Sequence, residues 1–422
     1  MALNSSTGRR EASPEQTARA PRTESVLRRV LRLGPFVVAV GVGKVMLDYF
    51  PTPSEETYRY LLALACAVAA GALTGLAGLA LTRRQERAEL LEPALDGGYE
   101  QTQEALLRCR VVFEDPELGT LAGWPHFIEE ADAGIRPTAI GTAYGLKISL
   151  ALDPADGRLG FPALASTLWK LRLPDGGWAA RTQTRTGRPE VTALVLGALS
   201  RCGGDPSRFA DAVAAFEEML DRDHDPVGMT RVYVVSAALA GLVRFAPESP
   251  RLPELRRELV AGAIRDPRYG NLLCWADELA SGRRRPPVPS VPHTARAVVA
   301  LSRAARVLEP SGPEEAAVKE GLRWLVRHGS LEPETEQIRR TLPDHHRESL
   351  TVRHFTAAWV ARALLCDEAE EHGELLRAAV GRVAAEQRDG VWEWANGEHP
   401  LWMTYQGVTT LRDHTLRAGR RP

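Results

Sequence analysis

Two clusters of ionisable residues offer chemistry at first sight. Asp221-Arg222-Asp223-His224-Asp225 alternates carboxylates with other polar groups, but it lacks the turn glycine and the terminal glutamate that a calcium loop needs. Asp344-His345-His346-Arg347 offers a carboxylate and two imidazoles, half of a metal site. Charge-rich loops between helices are ordinarily solvated, which is the simpler reading of both. Glu190, His293, Arg353 and His354 each stand at or just before the start of an apolar, Ala-rich stretch, and Asp225 stands before another. Loops that precede equivalent helices line the same end of a bundle. Glu190, Asp225, His293, Arg353 and His354 are therefore expected at one mouth, above an apolar interior, as a candidate ligand-binding set. The five cysteines, at 66, 109, 202, 274 and 366, show no C-x-x-C spacing, which fits a reducing compartment and gives no zinc signature. No metal site and no cofactor is expected.

The elements that position these residues repeat. Leu173 to Gly203 reads as a helix end, an Asp175-Gly176-Gly177-Trp178 turn, a polar loop and a second helix opened by Pro189 and Glu190. Gln387-Arg388-Asp389-Gly390-Val391-Trp392 repeats the turn, and Thr404 with Leu411 repeats the spacing of Thr192 with Leu199. Threonines at 142, 192, 230, 294, 356 and 404 open such apolar segments, with gaps of 50, 38, 64, 62 and 48 residues. A helical segment precedes each, at about 98–112, 161–172, 206–221, 252–265, 313–328 and 371–387. Helix pairs of about 50 residues cannot bury their faces alone and must stack. Ala-rich second helices suit a crowded inner ring, and Glu/Arg-rich first helices suit an outer ring facing water.

The DGGW turn followed by PEVTALVLGAL, with QRDGVW as its echo, resembles the repeats of the terpene cyclase and protein prenyltransferase superfamily. The likeness spans roughly 98–417 and implies an all-α fold, an (α/α)6 toroid of six helical hairpins. It also implies that Asp175, Gly176, Gly177 and Trp178, with Asp389, Gly390 and Trp392, are structural, because the family's Gln and Trp tie neighbouring outer helices together.

Chemistry known in that superfamily needs residues that this chain lacks. A class II cyclase protonates an alkene with a strong, positioned acid, carried in the family as D-x-D-D before an inner-helix Thr-Ala. The matching places here read RPEV before Thr192, SVPH before Thr294 and VRHF before Thr356. Glu190 falls near the acid's place without a second carboxylate, and is the one candidate acid. Prenyltransferases bind zinc through D-x-C and a His; His293-Thr294 resembles the last element, but no D-x-C accompanies it.

Net charge of −1 over 422 residues argues against a nucleic-acid surface. Residues 1–33 read as a disordered basic tail. Apolar runs follow at about 34–50 and 60–82; the second carries no charge over 23 residues, long enough to span a bilayer. The first contains Lys44 and reads as a second span or as an interfacial or buried helix. Gly71 and Gly75 form a G-x-x-x-G, either a helix-packing face or merely a small-residue surface. Arginines flank both outer ends of the pair, while Glu55 and Glu56 lie between the runs, so the positive-inside rule places both ends in the cytoplasm. The sequence thus predicts a transmembrane hairpin over 34–82, a linker over 83–97 and a cytoplasmic toroid over 98–417, making a multi-pass protein of the cell membrane. The expected function is binding or sensing of an isoprenoid-like lipid or a peptide. The alternative is an isoprenoid-processing enzyme using Glu190; a more remote one is an α/α-barrel carbohydrate enzyme, which needs a carboxylate pair across the lumen and against which the DGGW repeats count.

Overall fold

The computed structural model describes residues 98–418, apart from 153–156, 181–185, 222–227, 280–285, 310, 342–346, 368–371 and 395–396. The basic tail, the two apolar runs and the linker expected over 1–97 lie outside the described residues, as do Asp225 and the Asp344-His345-His346 loop. Among the described residues no helix is long and apolar enough to cross a membrane.

Six outer–inner helix pairs follow one another. They are α1 (98–108) with α2 (Ala139–Leu152), α3 (Phe161–Lys170) with α4 (Pro189–Leu199), and α5 (Pro206–Met219) with α6 (Val232–Phe245). The second half comprises α7 (Arg251–Ala261) with α8 (Val291–Ala304), α9 (Gly312–His328) with α10 (Thr356–Leu364), and α11 (Gly373–Ala385) with α12 (Leu401–Ala418). Each even-numbered helix packs on the next, and α12 packs back on α2, so the inner helices close a ring. The composition explains the layering. In α4, PEVTALVLGAL is buried almost all round, whereas α7 buries only Leu252, Leu255 and Leu259, a single stripe at helical spacing. Burying each such leucine contributes roughly 1.5–3 kcal/mol. Asp205 caps α5 by accepting from the Ser207 and Arg208 amides.

The repeat frame is a joint between outer and inner helices. The indole N–H groups of Trp124, Trp178, Trp275 and Trp392 donate to the carbonyls of Leu106, Leu168, Leu259 and Val383, at 2.9, 2.6, 2.8 and 2.7 Å. Each acceptor lies in the last turns of the outer helix that precedes the tryptophan. The frame threonine completes the joint: Thr142, Thr192 and Thr294 accept the backbone N–H of Trp124, Trp178 and Trp275 at 3.3, 3.1 and 2.9 Å. Thr356 accepts the Glu334 amide in the same way. All four tryptophans are fully buried. Ring closure uses the echo motif, in which Gln387 Nε2 donates to the Gly98 carbonyl at 3.2 Å and Thr102 Oγ1 donates to the Gly390 carbonyl at 2.6 Å. Gly390 has φ +84°, and a Cβ there would fall 2.3 Å from the Gln101 backbone, so no other residue fits. Thr230 departs from the frame: it lies in a 3-10 turn before α6, and Val235 occupies the corresponding fourth position of that helix.

Strands are an addition to the all-α expectation. Four two-stranded antiparallel hairpins occur among the described residues: β1 (Val111–Asp115) with β2 (Gly119–Gly123), β3 (Ile264–Asp266) with β4 (Leu272–Cys274), β5 (Thr335–Thr341) with β6 (Arg347–Arg353), and β7 (Gln387–Arg388) with β8 (Val391–Trp392). They span the outer-to-inner connections, where period-2 segments such as TEQIRRT and RESLTVR replace helical spacing. They also end α1 and α11 earlier than the sequence pattern suggests.

Candidate functional site

Contacts between neighbouring units put all inner-helix N-termini at one end. His293 at the start of α8 meets His354 before α10, the Val232 amide of α6 donates to Asp277 before α8, and the Leu401 amide of α12 donates to His126 before α2. The opposite ends meet as well, with Arg201 after α4 donating to Leu150 of α2, and Arg417 of α12 to Leu364 of α10.

Inside the ring is a cavity of about 890 Å³. Towards the N-terminal end its wall mixes apolar side chains, Phe127, Ile135, Ile140, Ile338 and Trp394, with the polar His126, Glu130, Arg188, Glu190 and His354. Deeper it becomes cationic. Lys147 of α2, Arg296 and Arg303 of α8, Arg362 of α10 and Arg244 of α6 all line it, with Tyr144, Trp359 and Tyr405 between them. At 1.5 Å per residue, Lys147 sits about 12 Å along its helix, Arg362 about 9 Å and Arg296 about 8 Å. Both guanidinium groups of Arg296 and Arg362 stack on the Trp359 ring, 4.2 and 4.6 Å from its centroid, and Lys147 Nζ is 5.1 Å from the Tyr405 centroid. Among the described residues no carboxylate forms an ion pair with Lys147, Arg296, Arg303 or Arg362. The Nε atoms of Arg296 and Arg362, Nε1 of Trp359 and Oε1 of Gln406 are buried without hydrogen-bond partners.

Lys147 and Arg296 are half-buried and both line the cavity. Burial lowers the Lys147 pKa to about 8 and the Arg296 pKa to about 10. Burial also lowers Arg362, with repulsion from Arg303 in the same direction. For Tyr405, burial favours the neutral phenol, but the positive charges of Lys147, Arg362, Arg303 and Arg244 outweigh it and pull the pKa down to about 7. Tyr144 is instead pushed up to about 12, chiefly by burial. The chamber is thus a low-dielectric space with an excess of positive charge. Arg244, Arg303 and Arg362 lie in the last turns of their helices, where they complement the negative ends of the helix dipoles. Lys147 and Arg296 lie mid-helix and have no such role.

At the mouth, His293 Nε2 and His354 Nε2 both lie 3.0 Å from the same oxygen, Oε2 of Glu336 on β5. Burial is nearly complete, at 1 % and 3 % exposure for the two imidazoles and 10 % for the carboxylate. Burial, aided by the nearby Arg296 charge, lowers the His354 pKa to about 4, so its imidazole is neutral at physiological pH. Burial alone would raise Glu336, but the two imidazole hydrogen bonds hold its carboxyl below the usual range. Both Nδ1 atoms are buried without partners. Arg231 lies 3.7 Å from the other carboxylate oxygen of Glu336 and pairs with Asp277 and Glu278, each at 3.0 Å.

Of the five residues expected at the mouth, His293 and His354 come together there, and Glu190 lines the same cavity as His354, 3.6 Å from Arg188. Arg353 does not join them: it ends β6 with its side chain exposed, because successive strand residues point to opposite faces. Asp225 lies outside the described residues. Sequence reasoning passed over Glu336, which belongs to no motif. It also passed over the lumen cations, although Lys147 in GTAYGLKISLAL, Arg296 in HTARAVVAL and Arg362 in TAAWVARALL are each charged residues within otherwise apolar inner segments.

No protein-family model and no curated protein sequence matches the chain. Among solved structures, a sugar epimerase from a ruminal bacterium aligns over 76% of this chain and 98% of its own, at 11% identity and TM-score 0.51. The cellobiose 2-epimerase of Spirochaeta thermophila aligns over 80% and 98%, at 17% identity and TM-score 0.50. A type II terpene cyclase from Scytonema aligns over 78% and 99%, at 17% identity and TM-score 0.49. The likeness is one of fold alone. The chain is an α/α toroid, an architecture it shares with these sugar epimerases.

Proposed function

We propose that the toroid binds an amphiphilic organic anion in its lumen, namely an isoprenoid-like lipid bearing a phosphate or diphosphate. The observation that carries this is the set of cations lining the lumen, Lys147, Arg296 and Arg362, set against the rings of Trp359 and Tyr405 with no ion-paired carboxylate among the described residues. Like charges gathered in a low-dielectric chamber cost free energy unless a counter-charge enters, and a phosphate oxygen cluster supplies it. The apolar side chains of the lining, among them Phe127, Ile140, Leu194 and Trp394, take the hydrocarbon part. Residues 34–82 would hold the toroid at the cytoplasmic face of the cell membrane, where such lipids partition.

Equilibrium binding of geranylgeranyl diphosphate and of geranylgeraniol to the full chain in detergent tests the reading. Each charge-assisted hydrogen bond contributes about 1.5–3 kcal/mol, so the diphosphate should bind at least ~10-fold more tightly than the alcohol. Equal affinities would contradict it. A second reading, conversion rather than binding, rests on Glu190 at the cavity wall; it requires turnover by the wild type that falls ~10²-fold or more in Glu190→Gln.

A further inference from the structure

The geometry points to a divalent transition-metal site at the mouth, formed by Nε2 of His293, Nε2 of His354 and a carboxylate oxygen of Glu336, and suited to zinc. These donors come from three separate elements, the first turn of α8, strand β5 and the residue two before α10, and all lie within 4.8 Å of one another. Two imidazoles binding a carboxylate independently would be expected to divide between its oxygens. Here both converge on Oε2, while Oε1 has no hydrogen bond, and convergence on a point is what ligands of a single ion show. At metal–ligand distances of about 2.0–2.1 Å a tetrahedral centre holds its donors about 3.3 Å apart. The two 3.0 Å contacts to Glu336 need to open by only a few tenths of an ångström, and the two imidazole nitrogens lie within 4.8 Å of each other.

Local charge also suits a cation. Arg231 is the one cation within ion-pair reach of Glu336 among the described residues, and Asp277 and Glu278 both pair with it. Arg231, Asp277, Glu278 and Glu336 together sum to −2, and to −1 with the nearby Arg296, so the cluster keeps a net negative charge for a divalent ion to offset. Two histidines and one carboxylate are a donor set used by zinc sites that keep a fourth position open. Since His354 borders the cavity, that position faces the lumen. In the metal-free state each Nε2 carries a proton donated to Glu336. Binding moves each proton to Nδ1, which has no acceptor at present, so a bound water or a small side-chain shift must serve it.

The test uses the full chain, stripped with EDTA and titrated with Zn(II) and with Co(II). We expect one ion retained per chain through gel filtration and the intense visible absorption of four-coordinate Co(II). Glu336→Gln and His354→Ala should each weaken Zn(II) binding by ~100-fold or more, while His399→Ala, at a half-buried histidine paired with Glu129, leaves it unchanged. Equal affinity in Glu336→Gln and wild type would overturn the proposal, as would failure of the wild type to retain an ion. If the variants do not fold, zinc-edge X-ray absorption of the loaded wild type decides: two imidazoles in a nitrogen and oxygen shell support the site, and sulfur in the shell places the ion at cysteines and refutes it.

Discussion

Trp178 and Trp359 stand in opposite settings. Trp178, at the joint between α3 and α4, is fully buried, donates its indole N–H to Leu168 and has its backbone amide held by Thr192. Trp359, on the inner helix α10, has an indole N–H with no acceptor and a ring flanked by two guanidinium groups. In the first setting every polar group is answered within the chain, and the result is a rigid joint repeated around the ring. In the second, polar groups and charges are collected and left unanswered, at a cost to the empty protein. Folding accounts for the first arrangement, and the second is what the proposed ligand would answer.

The contrast orders the expected effects. The largest belongs to Trp178→Ala, which removes a fully buried indole and its hydrogen bond; a loss of about 3–5 kcal/mol is expected, read as a lower urea midpoint in the full chain. Ligand affinity at saturating folded protein should change little. Next comes Thr192→Val, which keeps the shape but leaves the Trp178 amide unpaired, at a cost of about 1–3 kcal/mol. If Thr192→Val has no effect on the midpoint, the threonine frame is not a joint and its recurrence needs another cause.

A smaller and more graded effect concerns pH. Tyr405 loses its proton above about 7, adding a negative charge, and Lys147 above about 8, losing a positive one, so each event lowers the net charge of the chamber by one. Diphosphate affinity should therefore be highest near neutrality and fall steadily as the pH is raised towards 9. Tyr405→Phe should remove the lower part of that fall. Affinity independent of pH over this range would show that the anion does not sit between these two groups.

The joint was legible in the sequence because its parts recur at fixed offsets: Trp before a helix, Thr one turn inside it, Asp-Gly at the turn. Six helix pairs followed from that frame alone. The frame misplaced Thr230, where a local turn displaces the threonine from the helix, and it gave no warning of β5 and β6, whose short alternating segments lie between the periodic ones. His293 and His354 were legible as mouth residues because each sits at an inner-helix start. Their partner Glu336 was not, since it reaches them on a hairpin strand 43 residues from His293 and nothing local marks it. Arg353 was misjudged because it was placed by proximity in sequence, whereas strand alternation turns it away from its neighbour His354. The lumen cations were visible as lone charges in apolar helices, yet their convergence depends on ring closure, which no single segment encodes.

The central claim is that the chamber's charges serve a ligand and not the fold, and Lys147→Met tests it most directly. The two side chains are similar in length and the substitution removes only the buried charge. Measured on the full chain, the account predicts an urea midpoint without ligand that is unchanged or raised, together with geranylgeranyl diphosphate affinity lowered by about tenfold or more. A lowered midpoint with affinity unchanged would contradict it and make Lys147 part of the scaffold.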